Sequence, residues 1–305
     1  MQKKLINELK EMLSYKRVGG SNTEKSFINR FIAPLGGYED KFGNHIVTVG
    51  DRPNIMFSSH TDTVHSTEGF QEVEFRKTLA VVKGDSNCLG ADDGAGVFLM
   101  RQMILNKVPG LYIFHRFEEH GGLGSKFILN NTPEILNGID FAIAFDRRGE
   151  SDIITHQFGG RCCSTEFAVQ LGAMLGEQYK PSSFGSFTDT ATYVGKIKEC
   201  TNVSIGYDGE HSPRENLNVL HLFSLLDALI KAPWHQLRAH DWVDEVESQW
   251  DAFGMDDVLV AEEGDIVSLV QSFPEEIADI LELSGYSYSD LKQQIANYYS
   301  ENTYI

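Results

Sequence analysis

The stretch IMFSSHTDTVH, residues 55–65, sets an apolar run against a polar cluster, His60, Thr61, Asp62 and Thr63, and closes on a second histidine, His65. Residues i and i+2 of a strand point to the same side, so a strand that stops here brings His60 and Asp62 out together at its end. That sets a metal ligand beside an orienting carboxylate. The same tripeptide also suits a satisfied histidine in a polar turn, because short motifs recur freely. The choice rests on the rest of the chain.

Upstream, Leu5, Ile6, Leu9, Met12 and Leu13 recur at helical spacing. SNTEKSFINRFIAPLGG (21–37) reads as a second helix, with Asn22 or Thr23 near its cap and glycines past its end. HIVTVG (45–50) and NIMFSSH (54–60) read as strands, and EVEFRKTLAVVKGD (72–85) as a hairpin with Lys77 and Thr78 at the bend. GADDGAGVFLMRQMIL (90–105) is a tight glycine-rich turn that launches an apolar helix. GLYIFHRF (110–117) and GIDFAIAFD (138–146) are continuous apolar runs, as strands covered on both faces require, and EEHGGLGSKFIL (118–129) reads as the helix between them. This rhythm predicts an α/β three-layer sandwich, a mostly parallel central sheet flanked by helices. Ligands in such sheets bind beyond the carboxyl ends of the strands. Further on come a helix from RCCSTEFAVQLGAML (161–175), a loop YKPSSFGSFTDTATY (179–193), a strand leading to His211 and a closing helix HLFSLLDALIKAPW (221–234). Residues 1–231 form the expected main domain. Residues 232–305 form an acidic, mostly helical extension, with PEEIADILELSG (274–285) and SDLKQQIANYYSEN (289–302) as short helices.

With 305 residues, 41% of them hydrophobic, the chain is long enough to bury a full core. A formal net charge of -18 repels phosphate backbones and anionic lipid, which argues against nucleic-acid and membrane partners and for small molecules, peptides or cations. Charges interrupt the apolar residues of MQKKLINELKEMLSYKR (1–17), so it reads neither as a signal peptide nor as a membrane span, and a cytoplasmic location is expected. The cysteines, Cys88, Cys162, Cys163 and Cys200, include no CxxC and are expected to be reduced and buried.

The polar punctuation of the opening stretch recurs at one expected strand end after another. His60 and Asp62 follow NIMFSS, Asp92 and Asp93 follow NCLGA, Glu118 and Glu119 follow YIFHRF, Asp146 follows FAIAF, and His211 follows NVSIGYDGE. Acidic residues in turns are commonly solvated caps. Five such ends in one sheet predict instead a shared set of ligands. Two histidines and several carboxylates, without cysteine, suit zinc, with manganese or cobalt as substitutes. Six side chains hold two ions if one carboxylate bridges. Adjacent side chains diverge, so of Glu118 and Glu119 one can remain free as a base. Asp189 reads as a helix N-cap, and Arg147, Arg148 and Arg161 as partners in surface ion pairs, with a substrate carboxylate as their alternative partner.

The ordered set HTD (60–62), GADDGAG (90–96), FEEHGGLGS (117–125), FD (145–146) and GEHSPREN (209–216) resembles the co-catalytic dizinc exopeptidases. These include secreted bacterial aminopeptidases, tripeptidases and related amidohydrolases and deacylases. The resemblance spans about residues 40–231. It implies two zinc ions, one held by His60, Asp92 and Asp146, the other by Asp92, Glu119 and His211, with Asp92 bridging. It also implies Glu118 as the base acting on a metal-bridging water, Asp62 as the partner of the His60 imidazole, and a cis peptide between Asp92 and Asp93. Many relatives insert a lid or dimerisation domain between the last two ligands, but Asp146 and His211 lie only 65 positions apart, so no lid domain is expected. The expected activity is that of an aminopeptidase acting on peptides, in a chain that could form a homo-oligomer. The alternatives are an amidohydrolase, deacylase or carboxypeptidase acting on N-acyl substrates, and a silent binding protein, against which the full set of ligand positions and Glu118 argues.

Overall fold

The computed structural model describes residues 2–157 and 160–240, Trp242 and a few scattered positions between 270 and 292. The apolar runs become strands of one eight-stranded sheet: β1 (Tyr38–Glu39), β2 (His45–Val49), β3 (Ile55–His60), β4 (Gly110–His115), β5 (Phe141–Arg147), β6 (Asp152–Ile154), β7 (Lys180–Ser182) and β8 (Glu199–Ser204). Their spatial order is β7-β6-β8-β5-β3-β4-β2-β1. The central strands β8, β5, β3 and β4 pair in parallel. At the edges β2 joins β4 and β1 joins β2 antiparallel, while β6 runs antiparallel to β8 and parallel to β7.

Alternation along the strands builds two cores. Phe57, Tyr112, Phe114, Phe141, Ile143 and Phe145 face one, and Met56, Leu111, Ile113 and Ala142 face the other. The first is covered by α1 (Gln2–Leu13), α3 (Ala91–Leu105), α5 (Thr165–Leu175) and α6 (Val219–Lys231). The second is covered by α4 (Leu123–Asn131) and by 3-10 turns at Pro133–Leu136 and Asp189–Tyr193. Helix α3 is buried almost all round, as an apolar helix wedged between the sheet and α1 and α6 must be. Its first turn reaches the strand ends because residue 96 is glycine: a Cβ there would come within 2.1 Å of the Phe145 carbonyl oxygen and 2.3 Å of Asp93 Oδ1.

Several expectations are corrected. Helix α2 (Asn22–Phe27) is capped by Ser21, whose side chain accepts the Glu24 N–H, one residue ahead of the expected Asn22 or Thr23, and past Phe27 the helix widens into a π-turn at Ile28–Ile32. Helix α4 begins at Leu123, not at Glu118, because Phe117, Gly121 and Gly122 all take positive φ and hold Glu118 and Glu119 in a turn. The expected loop 179–193 contains β7 and the Asp189–Tyr193 turn. The hairpin Glu72–Arg76 and Leu79–Lys83 forms with Lys77 left-handed at its bend, but it belongs to a second sheet of four strands completed by Tyr207–Asp208 and Asn216–Asn218. That long-range pairing has no local signal.

The first residues after α6 pack onto the same core: the Trp234 ring meets Phe57 edge-on, and Leu237 is buried. The helices expected within 274–285 and 289–302 lie almost wholly outside the described residues. All four cysteines are buried free thiols. No helix among the described residues is long and apolar enough to cross a membrane.

Candidate metal centre

β3 delivers His60 to its carboxyl end, in the middle of the sheet, where its Nε2 lies 3.0 Å from Asp92 Oδ1 and 3.4 Å from Asp146 Oδ1. A second imidazole, that of His211, places its Nε2 3.2 Å from Asp92 Oδ2 and 3.2 Å from Glu119 Oε2. Ligand-type atoms of His60, Asp92 and Asp146 lie within 4.8 Å of one another, as do those of Asp92, Glu119 and His211. Asp92 belongs to both groups and turns one oxygen to each. Glu118 stands in neither, its Oε2 4.0 Å from His60 Nε2.

The expectation of five strand ends needs revision. His60 ends β3, Asp146 lies in β5, and Glu118 and Glu119 occupy the turn beyond β4. Asp92 comes from the first turn of α3, where Asp92 and Asp93 leave helical geometry and their peptide bond is cis, as the resemblance implies. His211, at φ 58, sits in a tight turn between two strands of the small sheet, not at the end of a main-sheet strand.

Asp62 has two partners: it lies beside the His60 imidazole, whose bond lowers its pKa against burial, and it holds a turn. Its carboxylate accepts the N–H groups of Glu118 (3.1 Å) and Glu119 (3.3 Å), and so holds the turn that carries both glutamates. His60 Nδ1 bonds the Asp62 carbonyl oxygen at 3.1 Å and approaches its carboxylate only to 3.6 Å. A carbonyl can only accept, so Nδ1 carries a proton. Burial works against a charge on this imidazole, but Asp146, Asp62 and Asp92 raise its pKa well above the ordinary value, so that Nε2–H faces two carboxylates, a position that a metal cation would take over in exchange for the proton. His65, the other histidine of the opening stretch, is a satisfied side chain: it bonds Thr63 Oγ1 at 2.7 Å and Gln71 Oε1 at 3.2 Å, and burial lowers its pKa to about 4.

Other residues that sequence reasoning did not single out complete the frame. Thr188 Oγ1 donates to Asp146 Oδ2 at 2.7 Å, and Tyr207 OH donates to Asp146 Oδ1 at 3.3 Å. Asn202 brackets the Asp146 backbone, accepting its N–H at 2.9 Å and donating to its C=O at 2.7 Å. Asp93 turns away from both groups to accept the His60 N–H at 3.1 Å and the Gly96 N–H at 2.9 Å. Beneath the site, buried Glu24 accepts the Thr61 hydroxyl at 2.6 Å and pairs with Arg116. Asp189 is not a cap, a position held by Thr188; its Oδ2 lies 3.3 Å from His115 Nδ1 in a buried cluster. Arg147 pairs with Asp152 at 3.2 Å and Arg148 with Glu210 at 3.3 Å, as expected of ion pairs, while Arg161 lies in a two-residue strand opposite His156.

The electrostatics ask for positive charge. Burial, then the charges of Asp146, Asp189 and Glu119, push the Glu118 carboxyl well above its ordinary range against the pull of His60. Burial and Asp92 push Glu119 up. Burial and Asp92 likewise move Asp146 to about 6. Asp92 itself is held below its ordinary value, against burial, by its bonds to His211 and His60. His211, although desolvated, is pushed up to about 12 by Asp92 and Glu119. Packing this many carboxylates into a dry site is costly unless cations compensate. Glu119 Oε1 is buried without a hydrogen-bond partner, as a ligand atom would be. The donor set, two imidazoles and three carboxylates with one shared, therefore fits a pair of divalent ions.

No protein-family model and no curated protein matches the chain. Solved structures do. Aminopeptidase PepT from Bacillus cereus superposes with a TM-score of 0.62 at 16% identity, over 75% of this chain and 98% of that one. A tripeptidase from Staphylococcus aureus gives 0.60 at 14% identity, over 75% and 97%. The TET1 peptidase of Pyrococcus horikoshii, which can assemble into a tetrahedron or a large octahedral shell, gives 0.56 at 16% identity, over 74% and 98%. This chain shares their fold.

Proposed function

We propose that the chain is a dimetal exopeptidase, an aminopeptidase that removes N-terminal residues from peptides. The observation that carries this reading is Asp92, whose two oxygens face two separate groups of ligand atoms while Glu118 stands outside both. His60, Asp92 and Asp146 would hold one ion, and Asp92, Glu119 and His211 the other, with zinc the best match to the donors and manganese or cobalt as substitutes. Bound there, such ions would lower the pKa of a water and polarise the scissile carbonyl.

The residues of the chain do the rest. Glu118, 4.0 Å from the His60 imidazole but in neither ligand group, is placed to take a proton from the attacking water and pass it to the leaving amine. Asp62 fixes the Glu118 and Glu119 backbone, so base and ligand diverge from one turn. The acidic surroundings of Asp146 and Glu119 favour a substrate's free amino end over an acylated one. The stretch between Asp146 and His211 supplies β6, β7, β8 and α5, which supports a site without a separate lid domain. The assembling Pyrococcus peptidase supports a homo-oligomer.

The test compares an aminoacyl amide with its N-acetyl counterpart, each with zinc, manganese and cobalt. Acetylation is expected to cut turnover steeply. Equal or faster cleavage of the acetylated amide would overturn the aminopeptidase reading in favour of a deacylase or carboxypeptidase, and cleavage of neither by a protein with two bound ions would favour a silent binding protein.

A further inference from the structure

Glu215 closes the GEHSPRE turn four residues after His211 and is only 2% exposed. Its Oε2 accepts the N–H groups of Leu89 (2.7 Å) and Gly90 (2.9 Å), and its Oε1 those of Ala91 (2.7 Å) and Asp92 (3.1 Å). The start of a helix leaves several N–H groups without partners, and an ordinary cap satisfies one of them with a neighbouring side chain. Here four consecutive donors converge on one carboxylate brought from more than 120 positions away in the chain. That fixes the orientation of the Asp92 peptide as well as the end of α3.

Glu215 is also tied to the other ligand. Its own N–H donates to the Ser212 carbonyl at 3.0 Å, closing the turn that follows His211, and Ser212 Oγ donates across His211 to the Gly209 carbonyl at 2.7 Å. From the opposite side, fully buried Arg17 donates to the Gly90 carbonyl and to the Thr61 carbonyl, both at 2.9 Å, linking the same turn to the residue after His60. The Leu89–Asp92 turn is thus held by its N–H groups to the His211 loop and by a C=O to the His60 loop.

We infer that Glu215 is a positioning residue that sets Asp92 against His211 and so tunes the affinity of the Asp92–Glu119–His211 group for its ion; this rests on the dimetal reading. Cobalt titration of metal-free protein, followed by absorbance, yields the dissociation constants of the first and second ions and needs no activity. In Glu215→Gln an amide nitrogen would face two N–H donors. The ratio of second-ion to first-ion dissociation constant is expected to rise about 10- to 100-fold, the scale on which residues behind metal ligands act. Glu215→Asp keeps the charge but falls short of the four donors, and a smaller rise in the same ratio is expected. An unchanged ratio in either folded variant, with only a lower melting temperature of the metal-free protein, would make Glu215 a structural brace and overturn the inference. In the unaltered protein, the second equivalent of cobalt should slow hydrogen exchange at the amides of Leu89–Asp92; unchanged exchange there would also overturn it. Fewer than two ions bound by the unaltered protein would overturn the dimetal reading and this inference together.

Discussion

The two ligand groups share Asp92 but are built differently. The His60 group is sealed: His60 ends a central strand with its side chain 1% exposed, and Asp146 belongs to the next strand with its side chain 7% exposed. Parallel pairing fixes their relative height, because Ser58 lies opposite Ala144. The His211 group is open. The opening is at His211, 51% exposed in a left-handed turn, while Glu119, 8% exposed, hangs from a turn that relies on Asp62. A group set by strand register is rigid because moving it means breaking the sheet. A group set by turns depends on a few hydrogen bonds, and it faces solvent, where substrate arrives.

That contrast can be broken by experiment. The largest effect should come from Glu118→Gln, with kcat falling by about 10²- to 10⁴-fold, the usual reach of a general base, while both ions stay bound. Glu119→Gln should instead empty the open group. Metal content and kcat measured on both variants decide between them, and exchanged phenotypes would reverse the roles of base and ligand.

Chelation sharpens the same point with a smaller effect. Stripping metal from the loaded protein should give two phases, the faster from the open group, with rates about tenfold or more apart, the scale on which surrounding contacts tune metal sites. His211→Ala should show only the slower phase. A single phase in the unaltered protein would mean that burial does not distinguish the two groups.

The smallest effect concerns the buried cluster behind the sealed group. Burial first, then Asp62 and Asp146, raises the Asp189 carboxyl to about 7. An acid whose pKa is higher in the folded state holds a proton there that the unfolded chain has lost, so stability falls as pH rises from about 4 to 7 and stays lower above it. His115 beside it, lowered to about 3 by burial and by the charge of His60, works the other way: it is neutral in the folded protein while the unfolded imidazole is charged below about 6.5, so its contribution rises with pH over most of the same window and offsets much of the loss in the parent. Metal-free Asp189→Asn should therefore gain stability relative to the parent as pH rises from 5 to 8, by at most a few kcal/mol. Melting curves at pH 5 and pH 8 that shift in parallel for both proteins would refute this.

The elements legible in the sequence are those whose signals are local. β4 and β5 are legible as continuous apolar runs because both of their faces are buried, β3 as the apolar run ahead of His60, and α3 as the apolar stretch behind a glycine-rich turn. The sequence sets Glu118 and Glu119 at the right strand end but inside a helix, since a left-handed Phe117 leaves no mark in composition. Tyr207 and Thr188, which bond Asp146, and Asn202, which brackets its backbone, look like ordinary polar residues of strands and turns.

What the sequence determined by itself is the type of chemistry: imidazoles and carboxylates without a cysteine ligand, arranged around buried parallel strands, with one glutamate more than the ligands require. Such information is carried by residue identity and by periodicity, which survive in one dimension. The resemblance implies how the ligands divide, and the tertiary structure adds what holds them there. It placed Asp92 on a helix turn between two histidines, gave Asp62 the glutamate backbone as well as His60, and brought Glu215 to four N–H groups across more than 120 positions of chain. Those assignments depend on which carbonyls and N–H groups remain unpaired once the sheet and α3 have formed, and they exist only after the chain has folded.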